Sequence, residues 1–479
     1  MLTPAEEVGL TDRSLAARVR RGFARIPART VLELRERVGE EAAHRYLVYL
    51  RDGVAETVPI MLCPIPVLPE QLAYVHYTAL TIQNALKRLP DLYVTDAAVR
   101  EVLRLTPAEE EWLWDCWSPS HRHSNPVFGR LDAVIDFTSP RWQRSLWFVE
   151  PNLSGIGGLH MVPACERLLA EIVVPVLEAG DRRLRLEVGQ DLRDLLAQEI
   201  LDHLQSIGRR AESLCFVEPK YAGHGPDEQQ ALAAHFRERH GLQVLHADPA
   251  ELVVRNGEVW YGDSRVDLAY RDYSVLDLIK LRDEQSEDVE PMRLLLRENR
   301  MISSIAAEID QKSCWEILSD SRFCDRYFSV DERQLFRRHI PWTRLLADRQ
   351  TVLPRGEAGD LLAYVRGDRD HLVIKPNRSY GGEGVVLGQR VSQSEWDVAI
   401  ERALAGGERC VVQEAVPIPV QELPVIGSDG SVQFEPFFVV MGFAASPYGV
   451  GVLGRASQQE VVNVARQGGL CAMMIGHSH

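Results

Sequence analysis

Lys375 closes the apolar run HLVIK and precedes Pro376, glycines at 381, 382 and 384, a second apolar run at 385–387, and Gly388. A lysine carried on a strand supplies a fixed positive charge. Glycine lets backbone N–H groups close on an anion without interference from a Cβ. Together they suit the β- and γ-phosphates of a nucleotide. The lysine comes before the glycines and no GK[ST] opens a helix, so this is not the common phosphate-binding loop. It is not a dinucleotide fingerprint either, because GGEG lies between two strands. An ordinary glycine-rich hairpin is the competing reading of the stretch taken alone.

A second set is Asp132, Glu150 and Asn152. Glu150 and Asn152 are two apart in a strand-like segment and so share a face, and Asp132 on the preceding strand can come alongside. Three hard oxygen ligands with no histidine or cysteine near them suit Mg²⁺; the alternative is a solvated turn with two acids. Glu414, following Gln413 at the end of the run CVVQE, can accept from ribose hydroxyls while neighbouring backbone groups meet an adenine edge. A strand-end acid is the simpler alternative. Lys312, in the helical-looking DQKSCWEIL, is either a second phosphate lysine or a snorkelling surface lysine. His121 and His123, in SHRHSNP, read as surface-turn histidines or as part of an acceptor pocket.

The elements that must position these groups follow from patterning. Segment 126–152 alternates as two strands around TSPRWQR, and the second delivers a carboxylate and an amide into a turn with glycines at 155, 157 and 158. Residues 371–388 form a hairpin with a long loop. Between them, 185–285 alternates helix and strand, which predicts a largely parallel sheet, and Asn256-Gly257 marks a hairpin turn. Residues 1–120 read mostly as helices, with capping boxes at Thr3–Glu6 and Thr106–Glu109 and an apolar, proline-rich stretch at 58–69. A long helix is predicted over 292–314 and an amphipathic one over SEWDVAIERALAGG. The chain after 430, including VVNVARQGG, reads as further sheet. The division is 1–120 helical, 121–180 with the carboxylate hairpin, 181–285 α/β, and 286–479 with the glycine-rich loop; the class is α/β (α+β).

Composition bounds the function. The 479 residues exceed one simple core, and 45% hydrophobic with 26% charged residues is ordinary for a globular protein. A formal net charge of −15 argues against nucleic acid or anionic lipid as partner and makes a cationic cluster a ligand site. The eight cysteines contain no CxxC pair and read as core residues of a reducing compartment. With no signal peptide or membrane-length apolar run in view, a cytoplasmic location is expected.

Taken together, strand–Lys375–glycine loop–strand, the later Gln413-Glu414 and the Asp132…Glu150-x-Asn152 set resemble the parts of an ATP-grasp carboxylate–amine ligase. Ordinary members carry the metal-binding acid and E-x-N after the lysine and loop. The reversed order here resembles the circularly permuted ATP-grasp family, which includes the synthetase domain of glutathionylspermidine synthase, with a small α/β pre-grasp domain between the halves. The resemblance covers about residues 125–470. It implies ATP and Mg²⁺ as cofactors, with Asp132, Glu150 and Asn152 as metal ligands. Lys312, Lys375, Ser379, Gly381, Gly382 and Gly384 would surround the triphosphate, and Gln413 and Glu414 would meet adenine and ribose. Arg455 in GRAS and Asn463 match the terminal R-x-S…N stretch; Arg130 and Arg271 are further candidates to face the carboxylate and acyl phosphate.

The implied reaction joins a small-molecule carboxylate to an amine, or to a carrier-bound thiol, through an acyl phosphate. A non-catalytic nucleotide-binding scaffold and a small-molecule kinase are the alternatives. No amidase domain with an N-terminal cysteine accompanies it, and substrates and oligomeric state stay open.

Overall fold

Three strands from the first third of the chain complete a sheet whose other strands come mostly from its end. In the computed structural model, which describes residues 14–210, 212–379, 382–459 and 468–478, the largest sheet has eight strands. Its path runs Ile60–Val67, Gly469–Ser478, Gly449–Ser457, Val432–Ser446, Arg130–Val134, Trp147–Asn152. Val420–Ile426 pairs with Val432–Ser446, and Leu184–Val188 with Gly469–Ser478. The expected carboxylate hairpin is present, with Asp132 opposite Glu150 and Arg130 opposite Asn152. Its other edge meets Val432–Ser446, where Gly442 stands opposite Asp132.

The proline-rich stretch 58–69 contributes a strand, Ile60–Val67, parallel to Gly469–Ser478. Pro64 and Pro66 are tolerated because this strand ends the path of the sheet, where missing N–H groups cost least. The region 1–120 is therefore helical but not wholly so. The capping box at Thr106 forms, with Glu109 N–H donating to Thr106 Oγ1 (3.3 Å) and Thr106 N–H to Glu109 Oε2 (2.8 Å). The box at Thr3–Glu6 lies outside the described residues.

A smaller sheet holds the glycine-loop hairpin, in the order Thr343–Leu345, Cys410–Glu414, Leu372–Pro376, Val386–Leu387. Val373 faces Leu387 and Ile374 faces Val386. The predicted amphipathic helix, Gln393–Ala405, starts from a Ser392–Glu395 capping box and buries Trp396 and Ile400 in the same core as Leu361, Val365 and Ile374.

The α/β segment forms a four-stranded parallel sheet, Met301–Ile302, Leu268–Arg271, Ser213–Val217, Gln243–Ala247, so its last strand lies beyond residue 285. The Asn256-Gly257 turn joins Leu252–Arg255 to Glu258–Tyr261, with φ of 52° and 78° as a type I′ hairpin requires. The predicted helix over 292–314 is not continuous. Glu290–Arg297 is helical, Asn299 turns the chain at φ 57°, and the strand Met301–Ile302, a 3₁₀ turn Ile305–Ile309 and the helix Cys314–Ser319 follow. One face of Glu290–Arg297 is buried, and every residue from Asn299 to Leu318 is, so the apolar pattern runs on through the breaks and imitates one helix.

All eight cysteines are free and seven are buried. Among the described residues, no helix is long and apolar enough to cross a membrane.

Candidate active site between the two sheets

A cavity of about 550 Å³ lies between the large sheet and the small one. Of the residues singled out in the sequence, Arg130, Asp132, Glu150, Asn152, Lys375, Gly382, Gln413, Glu414 and Arg455 line it. Val134, Val149, Leu387, Phe438 and Val440 give it an apolar side. Gly384 lies in a neighbouring groove behind the hairpin. Gly381 and Asn463 lie outside the described residues.

Strand register explains the first lysine. Lys375 pairs with Val411 and Gln413 with Val373, so Lys375 and Gln413 are diagonal neighbours on one face. Lys375 Nζ donates to Gln413 Oε1 (2.7 Å), whose amide in turn donates to Thr343 Oγ1 (2.9 Å). The buried Gln413 side chain thus orients the lysine, and the exposed Glu414 is left to face the cavity. Burial lowers Lys375 to about 8, opposed by the Glu150 charge and reinforced by Lys312.

Lys312 is not helical. It sits in the turn just before Cys314–Ser319, where its N–H donates to the Asn377 carbonyl (3.0 Å) and Ser313 N–H to Asn377 Oδ1 (2.8 Å). Its ammonium, nearly fully buried, lies 2.9 Å from Glu150 Oε1 and donates to the Ser379 carbonyl (2.7 Å). Ser379 takes part through this carbonyl, since its hydroxyl donates to Glu408 Oε1 (2.8 Å).

The carboxylates lie side by side, as their register demands. Asp132 Oδ1 accepts from Arg130 Nε (2.8 Å) and Oδ2 from Arg455 Nη2 (2.7 Å). Burial alone would raise this carboxyl, yet the two guanidiniums hold it down, at about 2. Among the described residues, Asn152 Nδ2 and Arg455 Nε are buried without a hydrogen-bond partner. Two adjacent carboxylates and the amide oxygen of Asn152 offer an all-oxygen donor set that fits a hard divalent cation such as Mg²⁺, while the unpartnered Nδ2 can only donate a hydrogen bond. A bound cation would take the place of the chain's own positive charges on Asp132 and Glu150.

Two contributors were not anticipated from the sequence. Asp310 accepts from the N–H groups of Leu153 (2.5 Å) and Ser154 (3.4 Å), clamping the chain just past Asn152; burial raises it to about 7. Gly442 leaves room for the Arg130–Asp132 pair, since a Cβ there would lie 2.6 Å from Arg130 Nε and 2.8 Å from Asp132 Oδ1. Asp310 falls in the misread helical stretch, and the close approach at Gly442 is visible only once the strands are paired.

Other expected residues are elsewhere. Arg271 is fully buried against Glu308 and donates to the carbonyls of Ser303 (2.8 Å), Tyr273 (2.6 Å) and Ser304 (2.9 Å). It holds the core and does not reach the cavity. His121 is also a core residue, with Nε2 2.9 Å from the Leu296 carbonyl and Nδ1 2.9 Å from Ser118 Oγ; burial lowers it to about 4. His123 is exposed and away from the cavity lining.

No family model matches the sequence, and no curated protein does. Among solved structures, a glutathione synthetase-like effector from Globodera pallida superposes with a TM-score of 0.61 at 11% identity, over 95% of this chain and 99% of that one. The two therefore share an overall α/β fold along nearly their whole lengths. A putative gamma-glutamylcysteine synthetase from Methylobacillus flagellatus overlaps more loosely, with a TM-score of 0.43 at 12% identity over 85% of this chain and 89% of that one.

Proposed function

We propose that this chain is an ATP- and Mg²⁺-dependent carboxylate–amine, or carboxylate–thiol, ligase of the circularly permuted ATP-grasp type. One observation carries the reading. Asp132, Glu150 and Asn152, from before the parallel α/β segment, and Lys375, Glu414 and Arg455, from after it, line one cavity. The fold shared with a glutathione synthetase-like effector supports it.

The apolar side of the cavity would take the nucleobase, and Glu414 in the lining would accept from ribose hydroxyls. Lys375 and Lys312 would neutralise phosphate oxygens. When bound by Asp132, Glu150 and Asn152, Mg²⁺ would supply further positive charge to the same oxygens. Attack of a substrate carboxylate oxygen on the γ-phosphorus releases ADP and leaves an acyl phosphate. An amine or thiol then adds to the acyl carbon, loses its proton, and expels phosphate. Arg130 and Arg455 would meet the negative charge that collects on the acyl oxygen. Closure of the glycine loop would keep water from the acyl phosphate.

Titration calorimetry with a non-hydrolysable ATP analogue tests this, with and without Mg²⁺. Micromolar, Mg²⁺-dependent binding that Glu150→Ala abolishes is expected, followed by ATP-dependent phosphate release with some carboxylate and amine pair. Absence of binding in both conditions rejects the reading. Binding without turnover favours a nucleotide-binding scaffold, consistent with the pairing of Asp132 and Glu150 to the chain's own cations. A stable phosphorylated product would instead indicate a kinase.

A further inference from the structure

Away from the nucleotide cavity, Asp194, His235 and His240 bring three ligand atoms within 4.8 Å of one another. Asp194 stands in the first turn of the helix Leu192–Ser206, and both histidines are on Gln229–His240. His235 Nε2 and His240 Nε2 each lie 2.8 Å from the same oxygen, Asp194 Oδ1. The other oxygen, Oδ2, accepts from Arg239 Nε (3.3 Å). Phe236 is fully buried and its ring flanks both imidazoles, at 6.0 and 5.9 Å between centroids.

We propose that these three residues form a transition-metal site, of the zinc class, that pins the two helices of the parallel α/β segment together. Two imidazole nitrogens and one carboxylate oxygen suit Zn²⁺ or Co²⁺ and disfavour Mg²⁺ and Ca²⁺, which take oxygen ligands. His240 ends its helix just before Gly241, so the helix dipole places negative potential beside the ion. Arg239 on the second carboxylate oxygen orients the ligand as outer-shell partners do, and its largely exposed side chain (65%) can yield.

Tetrahedral bonds of about 2.0–2.2 Å set ligand atoms ~3.3 Å apart, so a bound ion needs the 2.8 Å contacts to open by roughly half an ångström. Rotation of one carboxylate supplies that. Three protein ligands leave the fourth position to water, and the side chains are 9%, 18% and 29% exposed for His235, His240 and Asp194. The nucleotide cavity has none of these residues in its lining, so the site stands whether or not the ligase reading does.

The test uses the full chain stripped with chelator. Co²⁺ is titrated while visible ligand-field absorption is followed, and Zn²⁺ binding is measured by calorimetry. One equivalent with tetrahedral-type absorption is expected, displaced by Zn²⁺ and unaffected by excess Mg²⁺. His235→Gln and His240→Gln, checked for fold by circular dichroism, should each weaken binding by about 100-fold or more, the upper end of what even outer-shell changes cost. No saturable signal overturns the proposal and leaves a hydrogen-bonded helix clamp. Undiminished binding in the double variant also overturns it, because other histidines would then be the ligands.

Discussion

Lys312 Nζ lies 2.9 Å from Glu150 Oε1 and also donates to the carbonyl of Ser379 at the entrance to the glycine loop. One ammonium thus ties the Glu150 carboxylate of the large sheet to the loop of the small one. Removing it as Lys312→Met frees the loop entrance and takes from Glu150 its direct ion-pair partner, leaving only the charge of Lys375 nearby. In a double-mutant cycle with Glu150→Gln, followed by urea unfolding, a coupling energy of about 1–2 kcal/mol is expected, as for contacting, largely buried groups. Nucleotide affinity should fall in the lysine variant even where the fold is kept. Additive effects on stability would show that the two groups do not interact.

Arg271 and Arg455 should behave oppositely. Arg271 is enclosed with Glu308, so Arg271→Met strands a buried carboxylate and should cost ~3–5 kcal/mol, seen as insoluble protein or a large drop in the urea midpoint. Arg455→Met should leave the unfolding midpoint much closer to wild type, because Asp132 keeps Arg130, while reducing turnover in a phosphate-release assay.

What was legible in the sequence was local. The hairpin around Lys375 followed from two apolar runs with a glycine-rich interval, and Glu150-x-Asn152 followed from the two-residue period of a strand. The parallel segment and the Asn256-Gly257 turn were equally local. The α/β class, given by alternation and by the ATP-grasp resemblance, agrees with the observed sheets. Position in the fold was less accessible. Arg271 and Arg455 are each an arginine on a strand, and only pairing shows one walled in by Glu308 and the other beside Asp132. The turn holding Lys312 was hidden because Asn299 breaks an apolar pattern that burial on both sides keeps continuous.

The depressed Lys375 gives opposite pH signatures for binding and stability. In the folded chain its ammonium deprotonates near 8, whereas the unfolded value is near 10.5. Between these values the unfolded state holds more protons, so this group's contribution to stability rises with pH across about 8–10.5. In the proposed role the charged form contacts the nucleotide phosphates, so affinity should decline as pH rises through about 8. Calorimetry from pH 7 to 9.5 would show the decline in wild type and a flatter profile in Lys375→Arg, whose guanidinium stays charged. Equal profiles would remove Lys375 from the phosphate contacts.

Gly442 offers the sharpest separation of site from fold. It stands opposite Asp132 on the neighbouring strand, and its missing Cβ is what lets Arg130 Nε approach Asp132 Oδ1 to 2.8 Å. Gly442→Ala places a methyl group 2.6 Å from Arg130 Nε, so the guanidinium must move while the strand, with no left-handed φ to lose at this position, can stay paired. Misplacing a positioning group by about 1 Å costs on the order of 100-fold in turnover. The expected result is near-native circular dichroism and thermal midpoint, with phosphate release and Mg²⁺-dependent nucleotide affinity both strongly reduced. Full activity in this variant would mean that the Arg130–Asp132 contact has no part in the chemistry and that Arg455 alone serves the carboxylate.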